Sequence, residues 1–574
     1  MTTLSATPWL PIPLQALCIT LPLIALLLRV LLGPLSTWCP LASGYRTYQT
    51  MKLTALHDLP SLGKRRPKDK LIEGTAVIAG GSIAGLLTAR VCSAHFTRVL
   101  VIEPEEWTST TAALSHESQL PQEGAQKGHN QRSRIQQYNS IHNYQIFTYL
   151  ALKEMFPDME AEARAINPAT ISSCNLNVYP LGRYLKPPIA FYNGYLPKFL
   201  AITRHGYETL IRKLVKNTCD GVEFITGTVT GLNTQPVGVD ANDSKSARHV
   251  VRSVTIRSKQ GLKSTEPAAL VIDCTGPTMA ALKWLSARID PVEIPRQVYD
   301  HKMYYVNREY HVDPSAMTEV CVPGGYANAS IVYIFYPDSR LDHRILMIMR
   351  RENNKLQFFC GGWAMVDRPR SVADIRAFVS DIKTAFPIPD YVFQTLDVLE
   401  KNNCDEFATF NDIRVRHRST SQQPDRRRGS VMRVNPIRGH GCTKAIIGAA
   451  TLSSILHECH TLNATDTSPQ YLPNHFAKTF WTRQNDRTQS IWDQIKNEDY
   501  GWNTTVPIEG ETLDHGAFVR WYTRNLYSAA SEHEDIAAAV YNSAMLIAPG
   551  TDVTTPTIAL RVALAGIKVR TSQV

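Results

Sequence analysis

Gly80, Ser82 and Gly85, in the stretch AVIAGGSIAGLLTARV, are spaced as G-x-S-x-x-G and raise the first chemical question. A turn of this kind brings backbone N–H groups and the start of a helix to one point, which makes a seat for phosphate oxygens. Gly80 permits the tight turn, and Gly85 permits close approach of helix and strand. Ser82 keeps the middle position small and adds a hydroxyl that can donate to a phosphate oxygen. Glu103 ends the run Arg98-Val-Leu-Val-Ile-Glu103, where a carboxylate suits the hydroxyls of an adenosine ribose and repels a 2′-phosphate. These residues imply FAD or NAD as the bound nucleotide, rather than NADP.

The elements needed to place these groups surround them. Thr75–Ala79 is a short apolar run of the buried parallel-strand kind. LLTARVCSAHF, after Gly85, spaces its apolar residues as a helix, and Arg98–Glu103 reads as a second strand. Strand, glycine turn, helix and strand within about thirty residues form the context that separates a nucleotide turn from a chance glycine turn.

Four further segments follow in order: RSRIQQYNSIHNYQIFTYLALKEMFPDM from Arg132, TRHGYETLIRKLVKNTCDGVEFITGTVTGL from Thr203, ALVIDCTGPTMAALKWL from Ala269 and GSVMRVNPIRGHGCTKAIIGAATLSSIL from Gly429. With GGSIAGL, they make the chain similar to FAD-dependent monooxygenases of the aromatic-hydroxylase and epoxidase type. The similarity extends over residues 70–570 and includes HGAFVRWYTRNLYSAA and TPTIALRVALAG, which resemble the family's closing helices.

The resemblance implies a role for each motif. Gly80, Ser82, Gly85 and Glu103 take the nucleotide end. Arg132 faces the FAD diphosphate or ribose, with Gln137 and His142 towards the flavin, and Thr228 and Val229 lie beside the adenine. Asp273 and Gly276 form the second flavin motif. Asn435, Pro436, Gly439 and Gly441 form the third, a loop feeding a helix from near Thr443 whose positive N-terminal end points at the flavin pyrimidine ring. One position departs from the family: its ribityl-contacting aspartate, six residues before Asn435, is Gly429 here. Either another group meets the ribityl chain or FAD is held more loosely.

The resemblance further implies NAD(P)H as a transient reductant and O2 as co-substrate, with an organic molecule hydroxylated or epoxidised. A flavin oxidase or dehydrogenase without oxygen transfer is one rival. A membrane-tethered flavoprotein with impaired catalysis is another. The W-x-W-x-I-P signature of flavin-dependent halogenases is absent, since none of the 9 tryptophans lies two from another. No general base and no metal ligand are assigned.

Pro291 to Phe410 alternates as β-rich sequence. In the family such a sheet roofs the flavin, which offers Tyr304, Tyr305, Arg308, Tyr310 and Trp363 as pocket residues; plain sheet packing is the alternative for each. The expected chain is therefore α/β. A Rossmann-like FAD-binding domain (71–290 and 411–460) is interleaved with a β-sheet substrate domain (291–410) and followed by a C-terminal helical region (461–574).

An anchor (1–45) and a basic linker (46–70) precede these. No charged side chain occurs from Met1 to Leu28, and Pro11–Leu28 is close to the roughly 20 residues that span a bilayer. Arg29 is placed to snorkel to the headgroups. The leading region lacks the basic residues of a signal peptide, whereas Arg46, Lys52 and GKRRPKDK follow the apolar run. An N-terminal transmembrane helix is expected, with the bulk of the chain on the cytosolic face, at the endoplasmic reticulum. Sequons at Asn242, Asn328, Asn463 and Asn503 weigh against that orientation but also arise by chance. A membrane anchor suggests a lipophilic substrate from specialised metabolism.

Composition, 44% hydrophobic and 20% charged over 574 residues, is that of a folded protein. The net charge of +10 suggests an anionic partner, but Lys64-Arg65-Arg66 and Arg426-Arg427-Arg428 lack interleaved aromatics and read as solvated surface rather than nucleic-acid grooves. Eleven cysteines with no CxxC pair support neither a zinc site nor a disulfide framework, and fit a reducing compartment.

Overall fold

The computed structural model describes residues 40–116, 132, 134–135, 137–237, 248–287, 296–365, 368–402, 406–413, 418–421, 432–462, 472–473 and 475–571. The expected anchor segment at 11–28, Gly429, the run Arg426–Arg428 and the sequons at Asn242 and Asn463 lie outside them. Among the described residues, no helix is long and apolar enough to cross a membrane.

Strands β1 (Ile72–Ala79), β2 (Phe96–Glu103), β6 (Val222–Thr226) and β10 (Leu270–Asp273) form a parallel sheet in the order β10-β1-β2-β6. Successive side chains of β1 point to opposite faces. Ala76 and Ile78 pack with Leu86 of α2 (Ile83–Ser93), Leu210 of α5 (Arg204–Thr218) and Ile446 of α9 (His440–Leu462). Helices α3 (Ile146–Met155) and α4 (Met159–Ile166) add Phe147, Leu152 and Met159 to that core. On the other face, Val77 and Ala79 meet Val229, Val254 and Ile256 of an antiparallel sheet formed by β7 (Thr228–Val237), β8 (Arg248–Arg257) and β9 (Lys263–Pro267). Trp284 of α6 (Ala280–Ser286) closes that core. Burial on both faces is why β1 reads as an unbroken apolar run.

The second large sheet is formed by β4 (Leu176–Pro180), β12 (Met303–His311), β13 (Ile331–Tyr336), β14 (Arg344–Arg350), β15 (Lys355–Trp363) and β16 (Glu406–Ile413), in the order β16-β12-β15-β14-β13-β4. Only the β13–β4 pair is parallel. One face packs Tyr310, Tyr333, Leu346 and Phe358 against Ile375 of α7 (Val372–Ser380) and Leu396 of α8 (Asp390–Lys401). The other packs Tyr305, Ile345, Met347 and Trp363 against Ile437, Tyr541 and Met545. Both α7 and α8 fall within the span read as β-rich, and β4 comes from upstream of it. A strand supplied from a distant segment leaves no local signal.

Smaller pieces complete the fold. β3 (Ile171–Ser173) pairs with β5 (Lys198–Leu200), and β11 (Gln297–Asp300), β17 (Arg418–Ser421) and β18 (Met432–Arg433) make a short antiparallel sheet. Helix α10 (Phe476–Asp499) packs on α9 and on α1 (Pro40–Leu53), while α11 (Ala517–Glu532), α12 (Glu534–Ala544) and α13 (Pro556–Thr571) pack together at the end of the chain.

Candidate functional site

The β1–α2 turn has the strained approach that its glycines foretell. Gly80 has φ +107°, and a Cβ there would lie 2.5 Å from the Cys274 carbonyl oxygen. A Cβ on Gly85 would lie 1.8 Å from the carbonyl oxygen of Gly80, so helix and turn meet only because no side chain intervenes. Contact between Gly80 and Cys274 places the first motif beside the turn after β10, since Cys274 N–H donates to the Ala79 carbonyl at 2.8 Å.

Ser82, Glu103 and Arg132 belong to one buried charge cluster. Glu103 Oε2 accepts from the Gly81 N–H at 2.7 Å and from Arg132 Nη2 at 3.3 Å, while Oε1 accepts from the Glu105 N–H at 3.1 Å. Arg132 is 2% exposed and also donates to Glu105 and Glu208. The Ser82 hydroxyl donates to Glu208 Oε2 at 2.8 Å and accepts from Arg204 Nη2 at 3.0 Å. Arg212 Nη2 donates to the Gly81 carbonyl at 3.1 Å and to Glu208 Oε1 at 2.8 Å. Burial pushes the Glu208 pKa up, but the guanidiniums of Arg204, Arg132 and Arg212 outweigh it and hold it down to about 2.

Arg204, Glu208 and Arg212 were missed by the sequence reading. Their four-residue spacing on α5 is the signal that stacks them on one helix face. Glu103, expected to meet a ribose, here spends its carboxylate on the turn backbone and on Arg132.

The second motif is a self-capped turn. Asp273 Oδ1 accepts from the Thr275 N–H at 2.9 Å and the Thr275 hydroxyl at 2.6 Å, and Oδ2 accepts from the Ala281 N–H at 2.7 Å. Gly276 follows, exposed, with φ +60°. Thr228 opens β7 beside Glu103, whose carbonyl accepts the Gly227 N–H at 3.0 Å. Val229 turns its side chain into the core, which leaves its backbone for any contact with adenine.

The third motif lies at the start of α9. Pro436–Arg438 makes one 3-10 turn and Gly439 takes the left-handed conformation, φ +68°. The helix begins at His440 rather than near Thr443, so Gly441 lies in its first turn and not in a loop before it. The left-handed Gly439 ends one turn and admits the next without a linker.

Gln145 Nε2 donates to the Arg438 carbonyl at 3.2 Å and Gln145 Oε1 accepts from the Thr443 hydroxyl. Tyr144 OH donates to the Thr203 carbonyl at 3.3 Å, just before α5. The segment 143–145 thus bridges the third motif to the helix carrying Arg204.

Asn435 is fully buried and donates from Nδ2 to Asp499 Oδ1 at 2.8 Å. The same carboxylate accepts from Trp363 Nε1 at 2.9 Å and from Tyr299 OH at 2.7 Å. Burial pushes Asp499 up to about 7 despite these three donors. Trp363 also stacks on Trp502, with ring centroids 3.4 Å apart.

The five pocket candidates divide by strand parity. Tyr305 and Trp363 face the side of Ile437; Tyr305 accepts from Gln137 Nε2 at 2.9 Å and stacks on Phe359. Tyr310 packs under α7 and α8, and Arg308 donates to the Pro369 carbonyl. Tyr304, between Met303 and Tyr305 on β12, is directed with these two away from the motifs. His142 is tied to the Ser140 carbonyl at 2.8 Å, and burial lowers it to about 3.

These residues fit a flavin dinucleotide at both ends. At the ring end, Asn143 Oδ1 and His440 Nδ1 are buried polar atoms without a hydrogen-bond partner, at the start of α9, where Asn143 lies against Gly439. At the phosphate end, three buried guanidiniums and the α2 N-terminus meet around the turn, whose backbone packs so closely at Gly80 and Gly85 that a Cβ at either would strike a carbonyl oxygen.

No protein-family model matches the chain, and no curated protein matches its sequence. Among solved structures, the chain is similar to a flavoprotein/dehydrogenase from Cytophaga hutchinsonii, with 11% identity, 88% of this chain and 100% of that one covered, and a TM-score of 0.49. It is also similar to the flavin-dependent brominase Bmp2, with 13% identity, 82% and 98% covered, and a TM-score of 0.46. A third is pqsL, a probable FAD-dependent monooxygenase from Pseudomonas aeruginosa, with 14% identity, 82% and 100% covered, and a TM-score of 0.44.

Proposed function

We propose that the chain is an FAD-dependent monooxygenase that uses NAD(P)H and O2 to hydroxylate or epoxidise a lipophilic small organic molecule. One observation carries the reading. Three turns far apart in sequence, at Gly80–Gly85, Asp273–Gly276 and Asn435–Gly441, are linked by direct contacts and by the 143–145 bridge. The first two lie at the carboxyl ends of adjacent parallel strands, where open α/β sheets bind their ligands.

FAD, when bound, supplies the two-electron redox chemistry and the activation of O2. The chain's own groups position and shield it. Arg204 and Arg212 oppose diphosphate charge, with Glu208 holding both in place. The N–H groups opening α9 favour negative charge at the flavin ring. Tyr305, Phe359 and Trp363 give the six-stranded sheet an aromatic face suited to an apolar substrate. The apolar run at 11–28 tethers the enzyme to a bilayer, on its cytosolic face, where such substrates partition.

Turnover of candidate terpenoid, polyketide and prenylated aromatic substrates under isotopically labelled O2 tests the proposal. One labelled oxygen atom per product molecule is expected. Oxidised product that carries no label, formed as FAD is reduced, assigns an oxidase or dehydrogenase instead.

A further inference from the structure

A second polar cluster lies apart from the nucleotide turns. His116 follows the 3-10 turn Thr111–Leu114, His205 lies in the first turn of α5, and Glu352 lies in the turn joining β14 to β15. All three are buried, at 8%, 7% and 0% exposure, and their ligand atoms lie within 4.8 Å of one another. His116 Nε2 is 3.1 Å from Glu352 Oε1, and the two imidazole rings face each other with centroids 5.6 Å apart. Thr203 stands at the same point: its hydroxyl is 3.1 Å from His205 Nε2 and donates to Glu352 Oε1, and its N–H donates to Glu352 Oε2 at 2.8 Å.

We propose that His116, His205 and Glu352 form a binding site for a divalent transition-metal ion, with Zn2+ as the matching species and the Thr203 hydroxyl as a neighbouring oxygen. Two imidazoles and one carboxylate are a recurrent ligand set for Zn2+ and for other first-row divalent ions. Tetrahedral bonds of about 2.0–2.1 Å separate ligand atoms by roughly 3.3 Å. The His116–Glu352 edge already has nearly that length, at 3.1 Å. The widest edge, under 4.8 Å, closes by small rotations of two rings that stand on different elements.

The charge environment accommodates the ion. Two cations act on the site, Lys355 and Arg204, and each has a carboxylate of its own: Lys355 pairs with Glu309 at 3.3 Å and Arg204 with Glu208 at 2.7 Å, so Glu352 adds the site's own negative charge. The site pins three segments distant in sequence: the chain after β2, the start of α5 and the β14–β15 turn. Because α5 carries Arg204, Glu208 and Arg212, the ion fixes the helix on which the charge cluster is built. The inference is independent of the flavin reading.

The test uses the full-length protein in detergent, stripped with a chelator and then titrated with Zn2+ and, separately, Co2+. The expected result is one ion per chain, with Co2+ giving the visible bands of nitrogen and oxygen ligation and no thiolate charge-transfer band from the exposed Cys321. His116→Ala removes a ligand while keeping the Thr203–Glu352 contacts that cap α5, so it is the variant expected to stay folded. It should weaken Zn2+ binding at least tenfold with an unchanged circular dichroism spectrum. Glu352→Gln should do the same, with some loss of thermal stability. The proposal is overturned if the folded wild-type chain takes up neither ion, if the Co2+ spectrum shows thiolate ligation, or if folded His116→Ala binds Zn2+ as tightly as wild type.

Discussion

Glu208 and Asp499 are fully buried acids in opposite electrostatic settings. Glu208 is surrounded by guanidiniums, so removing it strands Arg132, Arg204 and Arg212 without their shared carboxylate. Glu208→Ala should cost about 3–5 kcal/mol, read as a lowered urea midpoint. Asp499 meets only neutral donors, and burial pushes it up to about 7 from an unfolded value near 3.8. The folded state therefore holds this proton more tightly than the unfolded chain. Its contribution to stability is full below about pH 4 and is lost as pH rises through about 7. Asp499→Asn keeps an acceptor for Trp363 and Asn435 without titrating, and should flatten that part of the Tm–pH curve. An equally steep curve for the variant would assign the titration to another group. Asp499 could not be read from sequence, because its partners at Asn435, Trp363 and Tyr299 are 64, 136 and 200 residues away, whereas Glu208 carries a local signal in its four-residue spacing from Arg204 and Arg212.

At the scale of elements, the strand–turn–helix–strand unit from β1 to β2 was legible because its signals are local: an apolar run, a glycine turn and a helical period. The start of α9 was misplaced because Gly441 resembles a loop residue, yet it lies in the helix's first turn, where an added Cβ meets nothing within 4 Å. The two glycines therefore separate by experiment. Gly85→Ala forces a Cβ against the Gly80 carbonyl and should destabilise the apoprotein by roughly 1–3 kcal/mol or more. Gly441→Ala should change apoprotein stability by less than about 1 kcal/mol while weakening FAD binding, as the proposed seat of the cofactor at the start of α9 requires. Thermal melts with and without FAD distinguish the two. The six-stranded sheet was harder to read: its strand β4 arrives from a segment far upstream, and strand parity turns Arg308 and Tyr310 towards α7 and α8.

In the molecule as a whole, one FAD is proposed to join turns that belong to separate stretches of chain. A ligand that binds only the folded state adds about 2.7 kcal/mol at a hundredfold excess over its Kd, so added FAD should raise the Tm of the full-length protein. Gly429 stands where the monooxygenases that the sequence resembles carry an aspartate, so the measurement includes added cofactor. The decisive measurement is the visible absorption spectrum of full-length protein purified in detergent, before and after incubation with FAD and removal of the excess. The account predicts protein-bound flavin bands approaching one FAD per chain, diminished in Gly85→Ala. A folded chain that stays colourless after incubation would contradict it.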